Sequence, residues 1–273
     1  MDLSWTGFVV FGLFLLVCVL LLFSAFIMMV LDEIWIAIFN RPLYIHFYLF
    51  PKKISAQEES VLNQQIVFYN KLNDRDKKYF RHRLASFNSK YQYIPKEDFK
   101  INTEAQVLIS ATYVMLTFGM RKYLLESFNK IIIYPDVYYS TSNEQYHQGE
   151  FNPKMKAVVF SWKHFYEGFL IDNNNLNLGL HEFTHAVHLN SMKSQDASSL
   201  SFKKHYANII KDLNEPENRE RLIKSNYFRI YAYTNQFEFI SVIIEHYFET
   251  PEQFKSEFPE LFANVSKLLN HKH

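Results

Sequence analysis

The sequence predicts an α+β chain, mostly helical, in which an N-terminal transmembrane helix precedes a body with a small sheet and a metal-binding helix. Three observations carry that expectation. Residues 3–31 contain no charged side chain. Two short β-branched runs, 130–134 (KIIIY) and 157–162 (AVVFSW), interrupt a body otherwise patterned for helices. His181-Glu182-Phe183-Thr184-His185 is flanked by apolar residues and has the H-E-x-x-H pattern.

The apolar run comes first along the chain. It exceeds the roughly 20 residues a helix needs to cross the hydrocarbon core. A cleaved leader would show a basic head, a shorter apolar run and a small-x-small cleavage site, whereas this head carries Asp2 and no Lys or Arg. An uncleaved, single-pass membrane anchor over 1–31 is therefore expected. Basic residues near the ends set orientation, and Arg41, Lys52 and Lys53 all follow the run. That places the N-terminus outside and the body in the cytoplasm. Residues 34–50 are also apolar and aromatic, but Arg41-Pro42 interrupts them, so 32–54 reads as an interfacial, juxtamembrane segment rather than a second span.

The body, 55–273, is long enough for a sizeable core. Ser55 and Glu58 form a capping-box pattern ahead of a helix bearing Val61, Ile66 and Leu72. Residues 77–87 read as a second helix, and Thr103 with Gln106 as a second capping box opening a buried helix over 107–124. The two β-branched runs read as strands joined by a polar, mobile loop over 140–156, with Asn152-Pro153 as a turn signal. Residues 173–177 give a polar entry to the H-E-x-x-H helix. Beyond it, 191–201 reads as loop, 202–213 as helix, and Asn235 as the cap of a final long helix ending at Glu249 before Pro251.

Composition narrows the function classes. The formal net charge is +1, from 29 basic and 28 acidic residues, so no general attraction to nucleic acid is expected. Gly (6) and Pro (8) are too few for collagen-like or low-complexity classes. The single cysteine, Cys18, lies in the apolar run, so the body has no disulfide and any metal there must be held by His and carboxylate.

On a helix, residues four apart stack on one face, so His181 and His185 can point two imidazoles at one ion. Glu182 lies about 100° around the helix from His181, within reach of a water on that ion. Zinc suits two histidines and a carboxylate, with the fourth position left to water, which points to a zinc peptidase carrying one Zn2+ per chain and acting on a peptide or protein substrate. His188 extends the row, but it sits about 10.5 Å along the axis from His181 and fits a supporting or packing position better. Glu238 and Glu245, seven apart on the last helix, are the remaining ligand candidates, and spacing does not choose between them. Tyr233, His147 and His164 are pocket-capable residues of ordinary surface type. A peptide is expected to add as a strand beside 157–162.

The strings VVFSW, HEFTH and YAYTNQFEFISVIIEHYFETPEQF, in that order, resemble the Mlc titration factor A family of zinc peptidases, over roughly 101–268 with weaker similarity back to Ser55. The resemblance implies a zincin-like, gluzincin-type domain similar to the catalytic domain of anthrax lethal factor. It implies that His181 and His185 are ligands, Glu182 the general base, Glu238 the third ligand and Tyr231 an active-site tyrosine able to stabilise an oxyanion. Glu245 then becomes a supporting residue that orients a ligand. His188 stands where the family often has Asp. The family's other implication is regulatory: capture of a transcriptional repressor, with peptidase activity secondary or lost.

Overall fold

The computed structural model describes residues 5–39, 41–140, 144–170 and 173–271. Asp2 and Leu3 of the anchor reading and residues 141–143 of the expected loop lie outside them. The chain divides into two compact units, Met1–Tyr44 and Ile45–His273.

The first unit is one long helix, α1 (Trp5–Phe39), of 35 residues. At 1.5 Å per residue it is about 52 Å long, more than the ~30 Å hydrocarbon core of a bilayer. Its most apolar window has a mean hydropathy of 3.1 and is 0% buried in protein, unlike a core helix, so it is a candidate membrane span. The helix runs on past Asp32 and Glu33, so the first part of the segment expected at the interface is helical. The buried Asp32 carboxylate accepts the backbone N–H of Leu43 at 2.9 Å, which ties down the turn that follows.

In the second unit, α2 (Ala56–Gln65) opens with the expected capping box, Ser55 accepting from the backbone of Glu58 while the Glu58 carboxylate accepts from Ser55 N–H. The helix breaks at the extended Ile66, and α3 (Val67–Lys71) and α4 (Asp74–Lys90) follow. Next come β1 (Gln92–Pro95) and α5 (Thr103–Thr117). Asn102, one residue earlier than expected, caps α5 by accepting from Ala105 N–H. The helix also stops seven residues short of the expected 124. The fully buried Arg83 guanidinium collects the carbonyls of Thr117, Phe118 and Met120 at 2.7–3.1 Å, so a side chain replaces the helical N–H partners there.

Strands β2 (Lys130–Tyr134), β3 (Tyr138–Ser140), β4 (Gln145–His147), β5 (Gly149–Asn152) and β6 (Ala157–Ser161) follow. The four-stranded sheet has the order β1-β2-β6-β5, with β1, β2 and β6 parallel and β5 antiparallel on the edge. Strand β6 is buried at every position, as a central parallel strand is. The expected loop over 140–156 instead supplies β4, paired with β3, and the edge strand β5. Its polar composition hid both, since neither has the apolar alternation that marks a strand.

The remaining helices are α6 (Trp162–Leu170), α7 (Leu178–Lys193), α8 (Ala197–Asn214), α9 (Pro216–Lys224), α10 (Gln236–Glu249), α11 (Pro251–Glu257) and α12 (Pro259–Leu269), with a 3-10 turn at Ile230–Tyr233. Two corrections follow. The expected loop over 191–201 is almost all helix, because Asp196 caps α8 by accepting from Ser198 and Ser199 N–H. Helix α10 is not the last, since Pro251 occupies the first turn of α11, where its missing N–H has no consequence. At the centre, Phe183 of α7 meets the rings of Phe87, Tyr113, Phe128 and Phe160 at 5.2–6.1 Å, and this cluster fixes α7 between α4, α5 and the sheet.

Candidate metal centre

Asn177 starts α7 by accepting from Leu180 N–H at 2.9 Å, and one turn on His181 and His185 project from the same face. Their rings stand 4.8 Å apart and nearly perpendicular. Asn235 starts α10 by accepting from Phe237 and Glu238 N–H, so Glu238 belongs to the first turn of a helix packed against α7. Its Oε2 lies 2.9 Å from His181 Nε2 and 3.6 Å from His185 Nε2. One nitrogen from each histidine and one oxygen of Glu238 fall within 4.8 Å of one another, a group that could hold a metal ion. Two imidazoles and a carboxylate form a borderline-soft N/O donor set, which fits a divalent transition metal.

Helix α10 supplies the surroundings of these donors. Ser241, one turn past Glu238, has its hydroxyl 3.4 Å from His185 Nδ1 and donates to the His181 carbonyl. Glu245, two turns past Glu238 and 1% exposed at its side chain, places Oε1 2.7 Å from His181 Nδ1. Its Oε2 accepts Asn177 N–H, and both oxygens meet the Arg229 guanidinium. His181 thus has a carboxylate on each side. Burial works against its charged form, yet the hydrogen bonds to Glu238 and Glu245 prevail and push its pKa up to about 10. Burial likewise opposes ionisation of Glu238, but hydrogen bonds with His181 and His185 hold its carboxyl well below the usual range.

Glu182, next to His181 on α7, lines the same cleft. Its Oε2 accepts the backbone N–H of Phe151 on the edge strand β5 at 2.8 Å, and burial raises its pKa against the pull of His181 and His185. Strand β5 lies this close to α7 because residue 149 is glycine: a Cβ there would stand 2.6 Å from Leu178 Cδ1 and 3.1 Å from Glu182 Cγ. Tyr231, on the 3-10 turn and 48% exposed, has its ring 6.1 Å from that of His181; burial, followed by the Glu238 carboxylate, pushes its hydroxyl up to about 12.

His181, Glu182, Tyr231, Arg229 and Glu245 line a cleft of about 880 Å³, with Gly149 of β5 on one wall. His147 and His164 line it as well. Tyr233 turns away, onto Phe239. His188 lies outside the donor cluster, among the rings of Phe202, Tyr206 and Phe237, where burial lowers its pKa to about 4. Arg229 drew no notice in the sequence. The available signal was Glu245 itself: an acid in the middle of the apolar run FISVIIEHYF needs a cation from another segment.

Fold and donor set together define a candidate metalloprotein: an α+β body whose two-histidine helix meets a glutamate from a later helix beside an antiparallel edge strand. The particular family follows from comparison with known proteins. The chain belongs to the glucose-regulated metallo-peptidase M90 family, whose profile matches residues 48–269, as the resemblance to the Mlc titration factor A family implied. It is also similar to an uncharacterized protein of Synechocystis sp., with 21% identity over 243 residues, covering 80% of this chain and 85% of that one.

Proposed function

We propose that the chain is a membrane-anchored zinc peptidase of the gluzincin type. One observation carries the reading: His181, His185 and Glu238 converge on one point, while the separate carboxylate of Glu182 faces the cleft beside them. His181, His185 and Glu238 would hold the ion, two imidazoles and a carboxylate being the donor set of catalytic zinc sites. Zinc bound there supplies Lewis acidity and lowers the pKa of a water it holds. Glu182 takes a proton from the attacking water and passes it to the leaving amine. Burial raises the proton affinity of that carboxyl, which suits a group that must accept a proton and then release it. Tyr231 donates its hydroxyl to the oxyanion, and its high pKa keeps the proton in place at neutral pH.

The peptide was expected beside β6, but that strand is paired on both sides, with β2 and β5. The edges of the sheet are β1 and β5, and β5 is the one next to Glu182. Its Phe151 N–H donates to the Glu182 carboxylate, so a peptide added along this edge would run beside the proposed base.

The test is the full-length protein in detergent, with metal content and peptide hydrolysis measured together. Glu182→Gln should keep one zinc per chain and lose about 10²–10⁴-fold in turnover. His185→Ala should lose the metal. Full hydrolysis by Glu182→Gln would overturn the mechanism. The regulatory alternative, capture of a transcriptional repressor, needs no general base. If Glu182→Gln rescued every phenotype of a deletion strain, that reading would replace this one.

A further inference from the structure

Arg229 stands between α9 and the 3-10 turn, and it reaches back to both helices of the metal site. Its Nη1 donates to Glu245 Oε2 at 3.0 Å and its Nη2 to Glu245 Oε1 at 2.7 Å, the two-point grip of a planar fork on a carboxylate. Nη1 also donates to the carbonyl of Asn175, in the segment that leads into α7. The gripped carboxylate sits 2.7 Å from His181 Nδ1 through Oε1 and takes Asn177 N–H, at the start of α7, through Oε2. The fork therefore fixes the plane of Glu245, and that plane determines which oxygen meets the imidazole.

We propose that Arg229 is a positioning residue for the metal site, acting through Glu245 on His181. The inference rests on the metal-site reading above and adds to it a residue that reaches none of the atoms facing the ion, although its Nη2 also lies 3.4 Å from His181 Nδ1. An Nδ1–H held by Glu245 leaves the lone pair on Nε2, the nitrogen that faces Glu238 Oε2 at 2.9 Å. Without the fork, Glu245 keeps only Asn177 N–H and His181 Nδ1 as partners, one on each oxygen, and its carboxylate plane is held less firmly. The same grip joins α10 to the segment before α7, so Arg229 sets the spacing between the helix with two donors and the helix with the third. Three of its N–H groups are committed to these contacts, and its loss is expected to act on metal uptake before it acts on substrate.

The test uses full-length protein in detergent, stripped of metal and reloaded with zinc or cobalt. Zinc affinity is read by competition with a coloured chelator, and ligand geometry from the visible spectrum of the cobalt form. Arg229→Gln should weaken zinc binding about 10–100-fold and change the cobalt spectrum. Arg229→Lys should recover only part of the affinity, because one ammonium cannot hold both oxygens in plane; it also serves where the glutamine variant fails to fold. The pair Arg229→Gln with Glu245→Gln should bind no more weakly than Glu245→Gln alone. Wild-type affinity and spectrum in Arg229→Gln, or losses that add in the double variant, would overturn the proposal while leaving the metal site standing. A wild-type protein that takes up no zinc, or a His185→Ala variant that keeps it, would remove the metal-site reading and this proposal with it.

Discussion

At the scale of single residues, His181, Glu182 and His185 were legible because a helix period places them by arithmetic, and the structure brings the two histidines to Glu238. Spacing alone left Glu238 and Glu245 open, since both share a face of α10, and only the resemblance favoured Glu238. Glu238 meets Nε2 of His181, and Glu245 meets Nδ1. Glu249, one further turn along, shows what such a carboxyl does without a fork like that of Arg229. Burial raises its pKa from 4.5 to about 7. A raised folded-state pKa means that its contribution to stability is fully present below pH 4.5 and is lost as pH rises toward 7. Above that, the buried charge costs up to about 3 kcal/mol. Glu249→Gln should therefore melt like the wild type near pH 4.5 and at a higher temperature at pH 8, as followed by circular dichroism. Equal melting at pH 8 would show that the carboxyl ionises without penalty.

Elements were readable where one side-chain period dominates. The β-branched runs gave β2 and β6, and the caps at Ser55 and Asn235 opened helices where expected. Strands β1, β3, β4 and β5 were not readable, because short, half-polar strands take their identity from a partner rather than from composition. The strand nearest the chemistry was thus the one hidden. Its distance from α7 is set at Gly149, which yields a prediction about the element. Gly149→Ala puts a Cβ against the flexible end of Leu178 and the Glu182 stem, so β5 or Glu182 must shift by a few tenths of an ångström. If the proposed function holds, the fold and metal content should survive while kcat/KM falls about 10–100-fold through misplacement of the proposed base. Unchanged kinetics with unchanged metal content would separate the edge strand from catalysis.

For the whole molecule, the sequence suggested a body beginning at residue 55, at the first capping box, while the compact unit begins at Ile45. The difference lies in residues whose aromatic content read as interfacial. His46 stacks on Tyr79 with ring centroids 4.7 Å apart and packs on Phe118, and Lys52 N–H donates to His82 Nδ1. Tyr48 accepts from Arg83 Nε at 2.8 Å, completing the partners of the guanidinium that ends α5. Two truncations should therefore behave differently. Removing 1–44 takes away α1 and leaves every residue of the metal site, so the fragment should leave the membrane fraction, stay monodisperse and bind zinc like the parent. Removing 1–54 also strips Tyr48 from a buried cation, and a buried charged donor left unpaired costs about 1–3 kcal/mol before the lost ring packing is counted. For a body of this size that is a fall of several degrees in melting temperature, by about 2–4 °C per kcal/mol. Equal melting of the two fragments would show that 45–54 belongs with the anchor. A shorter fragment that alone is unstable would place the boundary of the folded body ahead of its first helix, in a strap of aromatic residues.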